Sequence, residues 1–189
     1  MGSVLFLLVL AFLAIAVINI YNRLVGLKND VVNAWKQIDV QLKRRHDLIP
    51  NLVNTVKGAM DFEKSALEAV INARSRAMGA SGVKETAQAE GMLTQALGRL
   101  FALAEAYPDL KATGNIRQLQ EELGSTENRI AFARQFYNDT ATRYNTAQQR
   151  FPANLVAGLA KASSADLWEI EDQAERAVPV VDLSDSSTR

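Results

Sequence analysis

The chain has 189 residues, enough for one domain of ordinary size with an appendage, and its 21 Lys+Arg and 21 Asp+Glu cancel. A neutral balance gives no pull toward nucleic acid, so no nucleic-acid partner is expected. The absence of cysteine excludes disulfides, thiolate metal sites and cysteine nucleophiles while leaving the compartment open, and His46 is the one histidine. Glycine and proline are scarce, and Ala, Leu, Glu, Gln, Arg and Asn dominate, so the chain reads as mostly helical.

Residues Val4 to Ile20 form an apolar run whose one polar member is Asn19. At about 1.5 Å per residue, roughly 17–25 residues cross the bilayer core, so this run sits at the short end. Val4, Phe6, Leu8, Phe12, Ile15, Ile18 and Ile20 would supply its lipid-facing surface. Tyr21 and Arg23 follow, an interfacial aromatic and a snorkelling cation at the position a membrane helix favours. A cleaved signal peptide is the competing reading, because Ala14-Ile15-Ala16 resembles a small-residue cleavage site. Against it, there is no basic n-region, and the run passes into a helical pattern without a turn signal. N-myristoylation fails because Phe6 stands where Ser or Thr is required. Cations cluster downstream of the run (Arg23, Lys28, Lys36, Lys43, Arg44, Arg45), so the positive-inside rule places residues 1–3 outside and the large domain that follows the span in the cytoplasm.

From Val31 an apolar stripe alternates spacings of four and three through Trp35, Ile38, Leu42, Arg45, Ile49, Leu52, Val56, Ala59, Glu63, Ala66, Val70, Ala73 and Ala77. That average of 3.5 is the periodicity of left-handed helix packing, interrupted by the charged Arg45 and Glu63. Pro50 keeps the phase on both sides, which predicts a kink in one continuing helix over about 22–78. Met78 to Gly82 is a turn with capping glycines. A second helix over about 84–107 carries Ala89, Leu93, Ala96, Leu100, Leu103 and Tyr107, and Pro108 ends it. A third, about 114–150, runs in strict phase from Ile116 through Leu123, Ile130, Tyr137 and Tyr144 to Phe151. Short helices are expected over 153–160 and 166–177, the latter carrying Trp168, with a disordered tail over 182–189. The expected fold is therefore all-α: an N-terminal transmembrane helix (4–20), then a long antiparallel helical bundle (21–181) with coiled-coil-like heptad packing. A first helix reaching on the order of 70 Å beyond residue 31 outruns the second. Its overhang needs either the C-terminal segment or another copy of the chain.

No catalytic, cofactor-binding or metal site is expected. His46 and Asp47 are adjacent and point about 100° apart on a helix, so they are no dyad. Glu121, Glu122 and Glu127 read as a solvated face, and no Glu-x-x-His supports a di-iron bundle. Lys43-Arg44-Arg45 begins about 30 Å past Tyr21, more than a Debye length from the membrane, which favours pairing with carboxylates of a neighbouring helix. Asn138-Asp139-Thr140 is a glycosylation sequon by pattern, placed mid-helix.

The block Ala34-Trp35-Lys36-Gln37-Ile38-Asp39-Val40-Gln41-Leu42-Lys43-Arg44-Arg45-His46-Asp47-Leu48-Ile49-Pro50-Asn51-Leu52-Val53 closely resembles the bacterial LemA family. Leu119 to Leu123, Thr126 to Ala131, Phe136 to Asn138, Tyr144-Asn145, Phe151-Pro152 and Val178 to Leu183 are similar to it as well. Met60, where the family usually shows an aromatic after Gly58-Ala59, departs from the pattern. The resemblance implies a membrane-anchored helical protein with its short N-terminus outside and no enzymatic activity. It implies work at the membrane, since relatives occur among proteins that shape magnetosome membranes and others are encoded near membrane proteases.

The leading expectation is a homo-oligomeric scaffold on the bacterial inner membrane, with lipid as one partner. Trp35, Arg44, Arg45 and His46 on the first helix, with Tyr137 and Tyr144 on the third, are the candidate contacts between helices or with a partner. Each could equally serve the bundle's own packing. The second expectation is a monomeric adaptor or sensor for a membrane protein such as a protease.

Overall fold

The computed structural model describes residues 1–57, 63–107 and 114–169. Helix α1 spans Gly2–Lys57, α2 Lys64–Gly79, α3 Val83–Glu105, α4 Gly114–Gln149 and the short α5 Ala153–Ala157. The described residues contain no strand, so the chain is all-α. The long apolar helix comes first and a helical bundle follows.

Residues 1–23 of α1 contribute nothing to the core, and Leu24 is the first buried side chain. This is the one helix, among the described residues, long and apolar enough to cross a membrane, and no part of its apolar window is buried. From Leu24 onward α1 lies against α4, while α2 pairs chiefly with α3. Val31, Ala34, Ile38 and Leu42 meet Ile130, Tyr137, Ala141 and Tyr144 in one cluster. Ile49, Leu52, Val53 and Val56 join Ile116 and Leu123 in a second, completed by α2 and α3. The order is ascending along α1 and descending along α4, so the two are antiparallel. Each fully buried Leu or Ile contributes about 1.5–3 kcal/mol, which makes these stripes the main source of stability.

The continuous helix expected over 22–78 is two helices. Glu63 has extended backbone (φ −61°, ψ 106°), and α2 starts after it and folds back on α3. The heptad phase concealed the break because two antiparallel helices can each show the same stripe as one long helix. Pro50, by contrast, sits inside α1, which continues to Lys57. Gly58, Ala59 and Met60 lie outside the described residues, as do 108–113 and everything after Glu169, including the expected tail.

Between α2 and α3, Gly82 takes a left-handed φ of 78° that other residues adopt only with strain. The Ser81 amide and hydroxyl both donate to Glu85 Oε2 (3.0 and 3.3 Å), closing the start of α3.

The overhang of α1 and α4 is filled from within the chain. Helix α5 packs on both, burying Val156, and residues 162–169 then run as an irregular segment whose Trp168 is 4% exposed. The helix expected from Asp166 is absent as far as Glu169. Side-chain amides of α4 occupy the segment's backbone polar groups instead.

Candidate functional site

One turn of α1 meets all three other long helices. Arg45, 4% exposed, sends Nη1 to Glu90 Oε2 of α3 (3.2 Å) and to Glu127 Oε2 of α4 (3.1 Å), and Nη2 to Thr94 Oγ1 (2.8 Å). His46 Nε2 lies 2.6 Å from Glu90 Oε1. The carboxylate offers acceptors on both oxygens, so Nε2 is the donor. From α2, Arg74 Nε donates to the His46 carbonyl at 2.8 Å. That carbonyl is the one whose helical partner would be the N–H of residue 50, and proline has none. The cation, carboxylate and imidazole form a polar layer between the two apolar clusters.

The layer resembles an acid–base pair in composition but not in access. The side chains of Glu90 and His46 are 4% and 10% exposed, leaving no room for a substrate to approach. Among the described residues no group of three or more His, Asp or Glu could hold a metal ion. What the arrangement can do chemically is fix the register of four helices, since breaking one buried partner strands the others.

A second constellation grips residues 162–169. Asn138 Nδ2 donates to the Trp168 carbonyl (3.0 Å) and its Oδ1 accepts from the Trp168 amide (2.8 Å). Asn145 repeats the pattern on Ala165, at 2.9 and 2.8 Å. Between them the Tyr137 hydroxyl donates to the Asp166 carbonyl at 2.7 Å. The two asparagines are seven residues apart, about 10 Å along a helix, and Ala165 to Trp168 in extended backbone covers about the same distance. Trp168 then fills a slot made by Trp35 (centroids 6.0 Å apart) and the Arg134 guanidinium, 5.2 Å over its ring. Trp35 also meets Tyr137 edge-on at 5.4 Å. Lys84 of α3 closes the side with a 3.1 Å ion pair to Asp166. Burial, and secondarily the Asp166 charge, pushes the Tyr137 ionisation up. Burial does the same for Tyr144, offset in part by the backbone of Ser163.

Residues 34–183, which contain both constellations, match the model of the LemA family. The chain belongs to the LemA family. It is similar to the magnetosome proteins MamQ 1 and MamQ 2 of Paramagnetospirillum magneticum, each 25% identical over 187 residues covering 85% of this chain and 68% of the relative. It is similar also to Protein LemA of Metamycoplasma hominis, 27% identical over 170 residues that cover 89% of this chain and 75% of that one.

Of the residues singled out in the sequence, Arg45 and His46 join the polar layer, and Trp35 and Tyr137 join the slot around Trp168. Tyr144 is core. Arg44 is exposed and belongs to neither. Asn138, read as a sequon by pattern, has its amide engaged on both sides and half-buried, so it is a structural contact. Sequence reasoning missed Glu90, Arg74, Asn138 and Asn145. A signal existed for three of them. Thr86, Glu90, Leu93, Leu97, Leu100 and Ala104 follow four–three spacing, placing Glu90 on a core position opposite the equally anomalous Arg45. The asparagines stand one heptad apart, each directly after a core tyrosine. Nothing in the sequence marked Arg74.

Proposed function

We propose that the chain is a non-enzymatic, membrane-anchored scaffold that self-associates and organises or shapes the bacterial inner membrane, with its bundle in the cytoplasm. The observation that carries this reading is an apolar strip on the α1–α4 face. Val40, Phe132 and Phe136 are 64%, 73% and 50% exposed and line one open cleft, rimmed by Lys36 and Arg129. Phe132 and Phe136 stand one turn apart, roughly 140° around α4 from Asn138, so they face away from the segment that covers the other side. Adjacent exposed aromatics on a soluble surface mark contact sites more often than chance. The anchor confines copies to two dimensions and raises their effective concentration, so modest contacts suffice for assembly. The overhanging heptad stripes no longer argue for this reading, because residues 153–169 cover them. The likeness to proteins named for the magnetosome supports the membrane-organising part.

The test is the mass of the full-length protein in mild detergent by light scattering, with Phe132→Asp/Phe136→Asp beside it. A defined assembly that the double variant dissolves, with helicity retained, is the expected result. A wild-type chain that stays monomeric at micromolar concentration sinks the self-association.

The second reading is a monomeric adaptor or sensor for a partner such as a membrane protease. The asparagine clamp would serve it only where a partner peptide replaces residues 165–168, which occupy the clamp here, since it recognises main chain and so suits an extended segment of varied sequence. It predicts a stable monomer that co-purifies with a defined partner.

A further inference from the structure

We infer that the corner between α4 and α5 is a second membrane contact, seated in the headgroup region of the same leaflet from which α1 emerges. The inference rests on the reading of α1 as a membrane span and adds to it a part of the bundle that touches lipid.

Three large apolar side chains crowd this corner in water. Phe151, Leu155 and Leu159 are 79%, 71% and 72% exposed, within nine positions of one another. Leu155 lies in α5 and Leu159 in the turn just past its end, while Val156 turns inward and is 5% exposed. The short α5 thus buries one side against the bundle and leaves an apolar side outward. A soluble domain rarely leaves such a cluster bare, and its position says what covers it.

The corner abuts the end of the apolar run. Phe151 and Pro152 line a cleft together with Ile20 and Arg23 of α1. Ile20 is the last residue of that run, and Arg23 lies about 4.5 Å further along the helix. A bilayer enclosing residues 4–20 therefore brings its polar boundary level with Phe151 and α5. Tyr21, 41% exposed, stands at the same height, where amphipathic rings settle.

Charge points the same way. The chain is neutral as a whole, with 21 cations against 21 anions. Residues 1–29 and 140–165, which make up this end, contain Arg23, Lys28, Arg143, Arg150 and Lys161 and no Asp or Glu. The nearest acids along the chain, Asp30, Asp139 and Asp166, lie just beyond, on the side away from the span, and Asp166 is paired with Lys84. Five cations around an exposed apolar cluster match an interface of anionic headgroups over acyl chains. They would oppose a second copy docking through the same corner, which would bring the same sign of charge. Lys28 Nζ donates to the Lys161 carbonyl at 3.4 Å and ties the stretch after α5 to α1 at this level. With both α1 and α5 held at the surface, the bundle would be oriented on the membrane and not free to swing on its anchor.

The natural chain has no cysteine, so single cysteines report position cleanly. The experiment labels Leu155→Cys with an environment-sensitive fluorophore in full-length protein reconstituted into vesicles of phosphatidylcholine and phosphatidylglycerol. Quenching by lipids spin-labelled near the headgroup is then read against Ser125→Cys, exposed on α4 far from the span, while lipids spin-labelled deep in the acyl chain report on Ala11→Cys, within the span. Because Leu155 is exposed, its replacement leaves the bundle intact. The expected result is at least threefold stronger shallow quenching at 155 than at 125, weakening when the anionic lipid is omitted. Quenching at 11 with none above the level of 125 at 155 overturns the inference and leaves the span standing. A blue-shifted probe at 155 that lipid fails to quench overturns it in favour of a protein contact. No quenching at 11 overturns the span, and the inference with it.

Discussion

Arg74 Nε donates to the carbonyl of His46 at 2.8 Å, supplying from α2 the hydrogen bond that Pro50 withholds inside α1. A proline four residues on removes the ordinary partner of that carbonyl, and an orphaned buried acceptor costs about 1–3 kcal/mol. The side chain of another helix replaces what the backbone lacks, so the defect in α1 becomes a joint between α1 and α2.

Arg74→Ala should therefore destabilise the bundle by about 1–3 kcal/mol, and the loss should shrink when Pro50→Ala is present to restore the N–H. Denaturant unfolding of the two single variants and the double variant measures this coupling. A full Arg74→Ala penalty in the Pro50→Ala background would show that Arg74 acts through some other contact.

Glu90 holds Arg45 and His46 at once, at 3.2 and 2.6 Å. Removing one partner of a buried pair costs about 3–5 kcal/mol, whereas apolar replacement of the set is often neutral. Glu90→Ala should thus be among the most damaging single changes in the domain, and Arg45→Met/His46→Leu/Glu90→Leu should recover most of the loss. Thermal melting of the three chains decides it.

Asn138→Ala and Asn145→Ala each delete two hydrogen bonds to the backbone of residues 165–168. Each should release the segment, exposing the Ala165 and Trp168 amides to hydrogen exchange and shifting Trp168 emission to the red, while α1 to α4 stay folded. Because both grip one segment, the double variant should cost less than the two singles added.

The buried tyrosines should weaken the fold at alkaline pH. Tyr137 ionises above the ordinary 10.0 in the folded chain, so its folded-state pKa exceeds the unfolded one. Its contribution to stability is then whole below pH 10 and is lost as pH rises through the raised value. Melting temperature measured from pH 8 to 12 should fall beyond 10, and the fall should be shallower in Tyr137→Phe and Tyr144→Phe.

Much of this was legible in the sequence, and the failures share a cause. Heptad spacing located most buried positions of α1 and α4 between Val31 and Val56 and between Ile116 and Tyr144, because burial on one helical face follows from periodicity. It passed over Ala34, His46, Val53 and Ala141, which widen the stripe, and carried it to Phe151, which is exposed. It did not distinguish one helix from a hairpin at Glu63, where an unbroken phase is compatible with both. It assigned Asp166 to a helix by composition, although Asn138, Asn145 and Tyr137 compete for the backbone there and win by tertiary contact. Arg45 was visible as a charge on an apolar stripe. Its partner Glu90 was not sought, since that search requires comparing anomalies between helices and not along one.

The grip of α4 on residues 165–168 leaves a particular licence for sequence drift. The contacts made by Asn145 and Tyr137 reach Ala165 and Asp166 only through backbone atoms, so that part of the docking is indifferent to their side chains. The Asp166 carboxylate separately pairs with Lys84, and Ala165 packs against the α1–α4 cluster. Two positions cannot take proline, since the amides of Ala165 and Trp168 are both donors. Trp168 alone is held by backbone and by ring together. A stretch that a reader of substitutions would score as permissive is thus fixed in path by atoms every amino acid shares, with one aromatic ring setting where along that path it stops.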